Sequence, residues 1–287
     1  MRDEVVRGAG PIGAVQPGGT VPGVRGASPE PSLQPEQRPV SGLAPGNRAP
    51  GVEALHSALT PLGYGEAPRI GLLGDPGGGK TKAAEAIVCE FLRRSPGVVL
   101  IVDAKGERRF DSLPVHPPPA VRSSPAAYAS DPPPQGTRVV VFRAPLTSDV
   151  DPEEIAKFAF GLAERRWPSL TVHDELAQAS AGASWKRGAQ NLPRSFVRGR
   201  SQGLAILWAT TSPQDVPTVA FETSTEIWQF KTSGMAIDLL GRRNYLRGID
   251  PAVIEQLAGY PAPPAERGEF VRLVRGQPWD GKIYRFA

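Results

Sequence analysis

The segment Gly74–Thr81 has the residue types and spacing of a phosphate-binding loop. It matches the pattern G-x-x-x-x-G-K-[ST] at every fixed position, through Gly74, Asp75, Pro76, Gly77, Gly78, Gly79, Lys80 and Thr81. Glycines allow consecutive backbone N–H groups to curl around a phosphate, and a helix that begins there adds the positive end of its dipole. In this pattern the lysine reaches the β- and γ-phosphates of ATP, and the threonine hydroxyl binds Mg²⁺. The segment therefore predicts a site for ATP and Mg²⁺.

The residues on either side of this loop predict the elements that the pattern requires. Ile70 to Leu73 form a short apolar run, which indicates a buried strand. From Thr81 to Arg94 the apolar residues recur at helical spacing, and Pro96 and Gly97 end that helix. The alternative is a glycine-rich turn that happens to precede Lys-Thr. A strand before the loop and a helix after it favour the phosphate-binding interpretation.

An acidic pair follows a second predicted strand. Ser169 to His173 run directly into Asp174 and Glu175. A P-loop ATPase needs an acidic residue at the end of a neighbouring strand to hold Mg²⁺, which predicts that role for Asp174. Glu175 is then placed to act as the general base that polarises the attacking water. The alternative is that the pair caps a helix that begins at Leu176, and His173 is either a ligand or a packed strand-end histidine.

Asp103 and Lys105 follow another apolar strand, Val98 to Val102. Ligands of open α/β folds bind at the carboxyl edge of the sheet, where these residues are expected. They are candidates for contact with nucleotide or substrate. A turn between strand and helix explains them as well.

The remaining elements predict an α/β fold. Further strands are expected at Arg138–Phe142, Leu204–Thr210 and Thr225–Phe230, a helix at Pro152–Arg166, and a final hairpin or edge pair at Glu269–Val274 and Lys282–Phe286. The proline-rich residues 113–136 are expected to form a surface loop. Strands that alternate with helices imply a mostly parallel sheet with helices on both faces. No internal repeat is present.

The first 66 residues differ in composition from the rest. They contain ten Pro and twelve Gly with few large apolar residues, so burial could not offset the entropy of ordering them. We expect a disordered tail at residues 1–50, a short helix near Val52–Leu59 with a linker at residues 51–66, and one ATPase domain at residues 67–287. The tail is either a plain linker or a segment that recruits a partner.

Charge and composition bound the function. The 287 residues carry a formal charge of +4, and residues 1–66 contribute five Lys+Arg against six Asp+Glu. The basic excess therefore belongs to the remainder, which suggests a polyanionic partner. Cys89 is the one cysteine, which excludes an intramolecular disulfide, and its helical setting predicts a small buried hydrophobe. No run of about 18 apolar residues and no apolar signal core occur, so we expect a cytoplasmic protein without a membrane span.

Three stretches resemble the FtsK–HerA family of P-loop ATPases. They are DAKGE at residues 103–107, HDE at residues 173–175, and RSFVRGRSQGLAILWATTSPQDVP at residues 194–217. In the last stretch Gly199, Arg200 and Gly203 match the basic GR-x-x-G turn of that family, and Ala209, Thr210 and Pro213 match its A-T-Q-x-P strand end. The resemblance implies a RecA-like P-loop NTPase core of the additional-strand type, in a protein that forms rings and moves DNA. Conjugative coupling proteins and viral genome-packaging ATPases are members.

The resemblance also implies roles for residues outside the nucleotide motifs. Thr211 stands where the family has a sensor glutamine, with Gln214 three residues later. Arg200 best matches an arginine that reaches the γ-phosphate of the next subunit, and Arg194 and Arg198 are further candidates. The alternatives are a solvated basic helix face and, for Arg187, Arg194 and Arg198, contact with DNA phosphates.

As partners the resemblance implies double-stranded DNA and further copies of the chain in a hexameric ring, in a bacterial host cell or a phage context. Two other functions remain open from the sequence. One is an ATPase that acts on proteins in secretion or virion morphogenesis. The other is a nucleotide-dependent switch with little turnover.

Overall fold

A computed structural model describes residues 48–60, 67–144, 150–165, 167–181, 190–232, 234–243, 245–246, 248–259, 262–263 and 267–286. The predicted tail falls outside these ranges, except for its last residues, Arg48–Pro50, which form a short strand. Residues 61–66 of the predicted linker also lie outside the described part. The helix expected near Val52–Leu59 spans Gly51–Ala58.

Ten strands in the described part of the chain form one sheet. They are β1 (Arg48–Pro50), β2 (Arg69–Leu73), β3 (Val98–Val102), β4 (Ala120–Arg122), β5 (Val139–Phe142), β6 (Ser169–His173), β7 (Leu204–Thr210), β8 (Glu226–Phe230), β9 (Glu269–Val274) and β10 (Ile283–Arg285). Their order is β1-β10-β9-β8-β2-β7-β6-β3-β5-β4. The strands from β8 to β4 are parallel, whereas β9 runs antiparallel to both β8 and β10.

Helices cover both faces of this sheet. They are α1 (Gly51–Ala58), α2 (Lys80–Arg94), α3 (Pro125–Ser130), α4 (Pro152–Glu164), α5 (Leu176–Ala181), α6 (Asn191–Arg198), α7 (Thr218–Thr223), α8 (Gly234–Arg242) and α9 (Pro251–Glu255). Two separate apolar cores result, one on each face. The predicted fold class, a mostly parallel sheet flanked by helices, is therefore confirmed.

The helix after the phosphate-binding loop shows why the sequence folds this way locally. In α2 the apolar residues Ala83, Ala84, Ile87, Val88 and Phe91 are buried, and their spacing of three and four places them on one helix face. The central strands β2, β6, β7 and β8 are buried along their whole length, as expected for parallel strands covered on both faces. Cys89 lies in α2 as predicted, but it is half-buried and packs only against the margin of the core.

Strand order brings the predicted site together. β7 lies between β2 and β6, and it pairs with both in parallel. The carboxyl ends of parallel strands meet at one edge of a sheet. The loop after β2, the acidic pair after β6 and Thr211 after β7 therefore lie at the same edge.

The predicted surface loop at residues 113–136 is the clearest error at the level of elements. Within it lie β4 and α3. Both elements are too short for a period to show, since β4 has three residues and α3 has six, and proline is tolerated at the first position of a helix. β4 is the terminal strand of the sheet, and Pro125 begins α3 directly after the Ser124 cap.

The C-terminal pair is confirmed as the antiparallel neighbours β9 and β10, but β10 is not the outermost strand because β1 adds to it in parallel. No helix among the described residues combines the length and the apolar character needed to cross a membrane.

Candidate nucleotide site

The phosphate-binding loop joins β2 to α2, and its glycines are required by geometry. Gly77 has φ 73° and Gly79 has φ 103°, values that residues with a side chain rarely adopt. A Cβ atom on Gly79 would lie 2.6 Å from the Cα atom of Gly268, closer than real Cβ contacts. The C-terminal segment before β9 therefore packs directly on the loop. Substitution at Gly79 would disturb both the backbone turn and this contact.

Lys80 begins α2 and is buried inside the loop. Its ammonium group donates hydrogen bonds to the carbonyl oxygens of Gly74 at 2.6 Å and Asp75 at 2.9 Å. Burial, followed by the charge of Lys105, lowers the pKa of Lys80 to about 8, while Glu175, Asp75 and Asp174 act in the opposite direction. An anion between the amides of the loop and this ammonium would stabilise its charged form.

The loop is anchored to the segment that follows β8. The Asp75 backbone N–H donates to the carbonyl oxygen of Lys231 at 2.9 Å. The hydroxyl of Thr232 donates to Asp75 Oδ1 at 3.1 Å. Asp75 therefore holds the loop through its backbone and its side chain, in addition to occupying a variable position of the motif.

Asp174 lies at the end of β6 and is 5% exposed. Burial raises its pKa to about 6; the charge of Lys105 opposes this shift, and the nearby carboxylates Asp103, Glu107 and Glu175 add to it. A cation beside this buried carboxylate would stabilise its charged form. The donor set fits Mg²⁺, which takes one or two carboxylates and completes its shell with phosphate oxygens and water. No group of three or more His, Cys, Asp or Glu within the described residues forms a metal cluster of its own.

Glu175 is held in one orientation by two neighbours. The backbone N–H of Thr211 lies 3.3 Å from both carboxylate oxygens, and the Thr211 hydroxyl donates to Oε2 at 3.2 Å. The ammonium group of Lys105 lies 3.2 Å from the same oxygen. Glu175 is 5% exposed, so these contacts lie in a shielded place. A general base needs such fixed orientation toward the water that it activates.

An ion-pair cluster fixes the turn that carries Lys105. Asp103 accepts a hydrogen bond from the Gly106 N–H at 2.8 Å through Oδ1, and from Arg143 Nε at 2.6 Å through Oδ2. Arg143 also binds Asp111 in a bidentate pair at 2.9 and 2.8 Å. Sequence analysis singled out Asp103 and Lys105 but missed Arg143. Its position directly after a predicted strand, β5, was the signal that it would lie at this edge.

Comparison with known proteins rests on solved structures, since no protein-family model and no curated protein matches the chain. The genome packaging NTPase B204 from Sulfolobus turreted icosahedral virus 2, in complex with ATP-gammaS, matches with a TM-score of 0.56 at 13% identity, over 77% of this chain and 98% of that one. B204, the DNA-packaging ATPase from Sulfolobus turreted icosahedral virus, matches with a TM-score of 0.56 at 13% identity, over 78% and 99%. VirB4 of Thermoanaerobacter pseudethanolicus matches with a TM-score of 0.52 at 12% identity, over 76% and 89%. The chain has the fold of the FtsK–HerA-type P-loop ATPases.

One strand separates the loop from the acidic pair. β7 is that strand, and Thr211 follows its last residue. Thr211 contacts Glu175, so it joins the acidic end of the site. The predicted residues Lys80, Asp174, Glu175 and Thr211 are thus brought together at one edge, whereas Arg200 is not.

Arg200 lies at the opposite, amino edge of the FtsK–HerA-type sheet. It is exposed, and its charge acts on Arg69, the first residue of β2. An arginine at this edge is remote from the phosphate-binding loop of its own chain. Arg194 and Arg198 are also exposed, on α6, whereas Arg187 lies outside the described residues.

His173 is fully buried and belongs to the packing of the fold. Its ring stacks on Phe196 of α6, with ring centroids 6.3 Å apart. Burial lowers its pKa to about 4, so the imidazole is neutral at physiological pH. The Nδ1 atom has no hydrogen-bond partner among the described residues.

A large cavity opens beside the acidic end of the site. Its volume is about 1040 Å³, and Lys105, Glu175, Thr211 and Gln214 contribute to its walls. Gln214, the glutamine three residues after Thr211, therefore shares a space with the candidate base. Glu175 lines this cavity, and no residue of the phosphate-binding loop Gly74–Thr81 does.

Proposed function

We propose that the protein is an ATP-hydrolysing P-loop motor that binds DNA and translocates or packages it. One observation carries the proposal: β7 lies between β2 and β6, so the phosphate-binding loop, the acidic pair and Thr211 meet at one edge of the sheet. This arrangement has the parts that phosphoryl transfer needs, namely a cradle for phosphates, a metal-binding carboxylate and a residue that orients the attacking water.

The side chains divide the work as follows. The amides of Gly74–Gly79 and the ammonium of Lys80 bind the β- and γ-phosphates of ATP, and Lys80 stabilises charge that develops on the γ-phosphoryl group. Thr81 and Asp174 hold Mg²⁺, which supplies further neutralisation of the phosphate oxygens. Glu175 accepts a proton from the attacking water through Oε1 or Oε2. Thr211 and Lys105 keep that carboxylate in place.

The choice of DNA as partner has independent support. The formal charge of the chain is +4, with the basic excess outside residues 1–66. Two proteins of the same fold carry names that describe genome packaging or DNA packaging. We propose double-stranded DNA as the polymer and a homo-oligomeric ring, a hexamer, as the working form in a cytoplasm. In such a ring Arg200 at the amino edge would reach the γ-phosphate bound by the next subunit.

The test is the rate of ATP hydrolysis with Mg²⁺, measured with duplex DNA, with single-stranded DNA and without nucleic acid. We expect hydrolysis that duplex DNA stimulates and that loses this stimulation steeply as salt rises. Equal rates with and without DNA would favour an ATPase that acts on proteins. Tight nucleotide binding with almost no turnover in all three conditions would favour a switch.

A further inference from the structure

A second cavity lies at the amino edge of the sheet, remote from the nucleotide site. Its volume is about 320 Å³, and Arg242, Arg243, Arg275 and Tyr245 line it together with residues of α7. The backbone shows where it lies. Arg275 N–H donates to Thr225 O at 3.0 Å, and Thr225 N–H donates to Arg69 O at 2.9 Å at the start of β2.

The guanidinium groups of this arginine cavity are held in place without a carboxylate. Arg243 donates hydrogen bonds to the carbonyl and hydroxyl oxygens of Thr218, each at 3.4 Å. Its guanidinium carbon lies 4.2 Å from the ring centroid of Phe221. Arg275 donates to the carbonyl oxygen of Glu222. Within the described residues none of the three arginines forms a salt bridge, although the carboxylate of Glu222 lines the same space.

Tyr245 gives the cavity a rigid wall. It is 8% exposed, and its hydroxyl donates to the carbonyl oxygen of Phe221 at 2.5 Å. Arg243 and Arg275 line the same cavity as this tyrosine. Arginines that line one cavity and form no salt bridge there can bind a phosphate, because a guanidinium fork matches the geometry of phosphate oxygens.

The surroundings of the arginine cavity favour a long polyanion over a single small anion. α6 packs against α7, which forms part of the cavity wall. Exposed arginines continue along α6 and the turn after it, at Arg194, Arg198 and Arg200. Arg200 lies in the turn before β7 and Arg69 begins β2, and the two strands pair in parallel, so both arginines lie at the amino edge. Positive charge therefore extends from the cavity along the amino edge.

We infer that the arginine cavity binds a backbone phosphate of the nucleic acid, as one fixed point of contact on the amino edge. The inference rests on the proposed function for the identity of the polymer. It also separates two tasks in space. ATP is bound at the carboxyl edge, while the arginine cavity holds the polymer at the amino edge. The other possible source of phosphate is ATP bound by a neighbouring copy of the chain.

The experiment compares wild-type protein with the double variant Arg243→Gln and Arg275→Gln. A matched control, Lys157→Gln with Arg285→Gln, removes the same charge at exposed positions outside the cavity. Affinity for a fluorescent duplex is measured over a range of salt concentrations without nucleotide, and ATP hydrolysis is measured without DNA. The single variant Arg275→Gln is included because Arg275 is exposed and makes its hydrogen bond to a backbone carbonyl. Thermal unfolding verifies that each variant folds.

We expect the double variant to lose affinity about tenfold, with a slope of log K against log salt that is less steep by about 0.9, the contribution of one phosphate contact. The slope for the single variant is expected to change by about half as much as the slope for the double variant. The control and hydrolysis without DNA are expected to stay at the wild-type level.

Equal loss in the control would show a general charge effect and overturn the inference. Loss of DNA-independent hydrolysis with intact DNA binding would assign the arginines to a neighbour's ATP and also overturn it. If the double variant binds DNA as tightly as the wild-type protein, the inference about the arginine cavity is refuted and the proposed function is not. Wild-type protein that binds no nucleic acid would refute the proposed DNA partner as well.

Discussion

The ammonium nitrogen of Lys105 lies 3.2 Å from Oε2 of Glu175, which ties the turn after β3 to the acidic pair after β6. The Lys105 side chain is 26% exposed and that of Glu175 is 7% exposed, so the pair is partly shielded from water. Because Asp103 and Arg143 fix the turn, the lysine is presented from a rigid support. The contact orients the candidate base.

Replacement of Lys105 by Met should lower kcat for ATP hydrolysis on the order of tenfold to a hundredfold, because small misplacement of a reacting group is costly. Nucleotide affinity should change much less, since the cradle at Gly74–Lys80 is untouched. Lys105→Arg, which keeps the charge, should recover part of kcat. Steady-state kinetics and equilibrium binding of a fluorescent ATP analogue separate the two effects. A variant that loses affinity and keeps kcat would instead make Lys105 a nucleotide contact.

Replacement of Glu175 by Gln should abolish turnover while ATP still binds. The amide cannot accept the proton of the attacking water, and general-base catalysis contributes roughly a hundredfold to ten-thousandfold. The measurement is phosphate release under single-turnover conditions, together with ATP binding. Glu164→Gln, at an exposed position of α4, is the matched control and should be active. Wild-type phosphate release in Glu175→Gln would remove this residue from the mechanism.

The buried carboxylate of Asp174 predicts a pH dependence of stability in the absence of nucleotide and metal. Its pKa is raised from 3.8 to about 6, so the folded protein retains a proton that the unfolded chain releases. The free energy of unfolding should therefore fall as pH rises through this window. The full destabilisation by the charged Asp174 carboxylate should be present above pH 6. Asp174→Asn removes the cost and should stabilise the protein at pH 8 by about 1 to 3 kcal/mol, but little at pH 4.

Thermal unfolding at the two pH values checks this prediction, with an expected rise in Tm of a few degrees at pH 8 only. Asp238→Asn, at an exposed position of α8, serves as control and should leave Tm unchanged at both. An equal shift at pH 4 and pH 8 would show that the effect has no electrostatic origin.

Gly79 and Gly161 predict opposite outcomes for the same substitution. Gly79→Ala forces a Cβ atom against Gly268 at φ 103°, so it should distort the loop and abolish ATP binding. Gly161 lies inside α4 with no atom within 4 Å of an added Cβ. Gly161→Ala should stabilise the protein by about 0.5 to 1 kcal/mol, because alanine loses less entropy in a helix. ATP titration and thermal unfolding of both variants test the contrast, and intact ATP binding by Gly79→Ala would contradict it.

The nucleotide end of the site could be predicted from sequence because its motifs are local. The loop Gly74–Thr81 and the pair Asp174–Glu175 each lie within a few residues of a strand end, and parallel strands deliver such ends to one edge. Strand order itself is a long-range property. The sequence did not reveal it, since no periodicity in the chain states that β7 lies between β2 and β6.

Other contacts join residues that are far apart in the sequence and so leave no local pattern. Arg143 reaches back 32 residues to Asp111, and Thr232 binds Asp75 across 157 residues. The packing of Gly268 on the loop has the same character. The short elements β4 and α3 were missed because their apolar runs are too brief for a period to show.

The position of β7 has a further consequence for the charges that it separates. Two strand spacings, about 10 Å, lie between the backbones of β2 and β6. This separation holds Lys80 and Glu175 apart, and neither side chain neutralises the other directly. Lys80 turns to the carbonyl oxygens of its own loop, and Glu175 turns to Lys105 and Thr211. The middle strand thus keeps the cation and the candidate base of the site from forming an ion pair with each other.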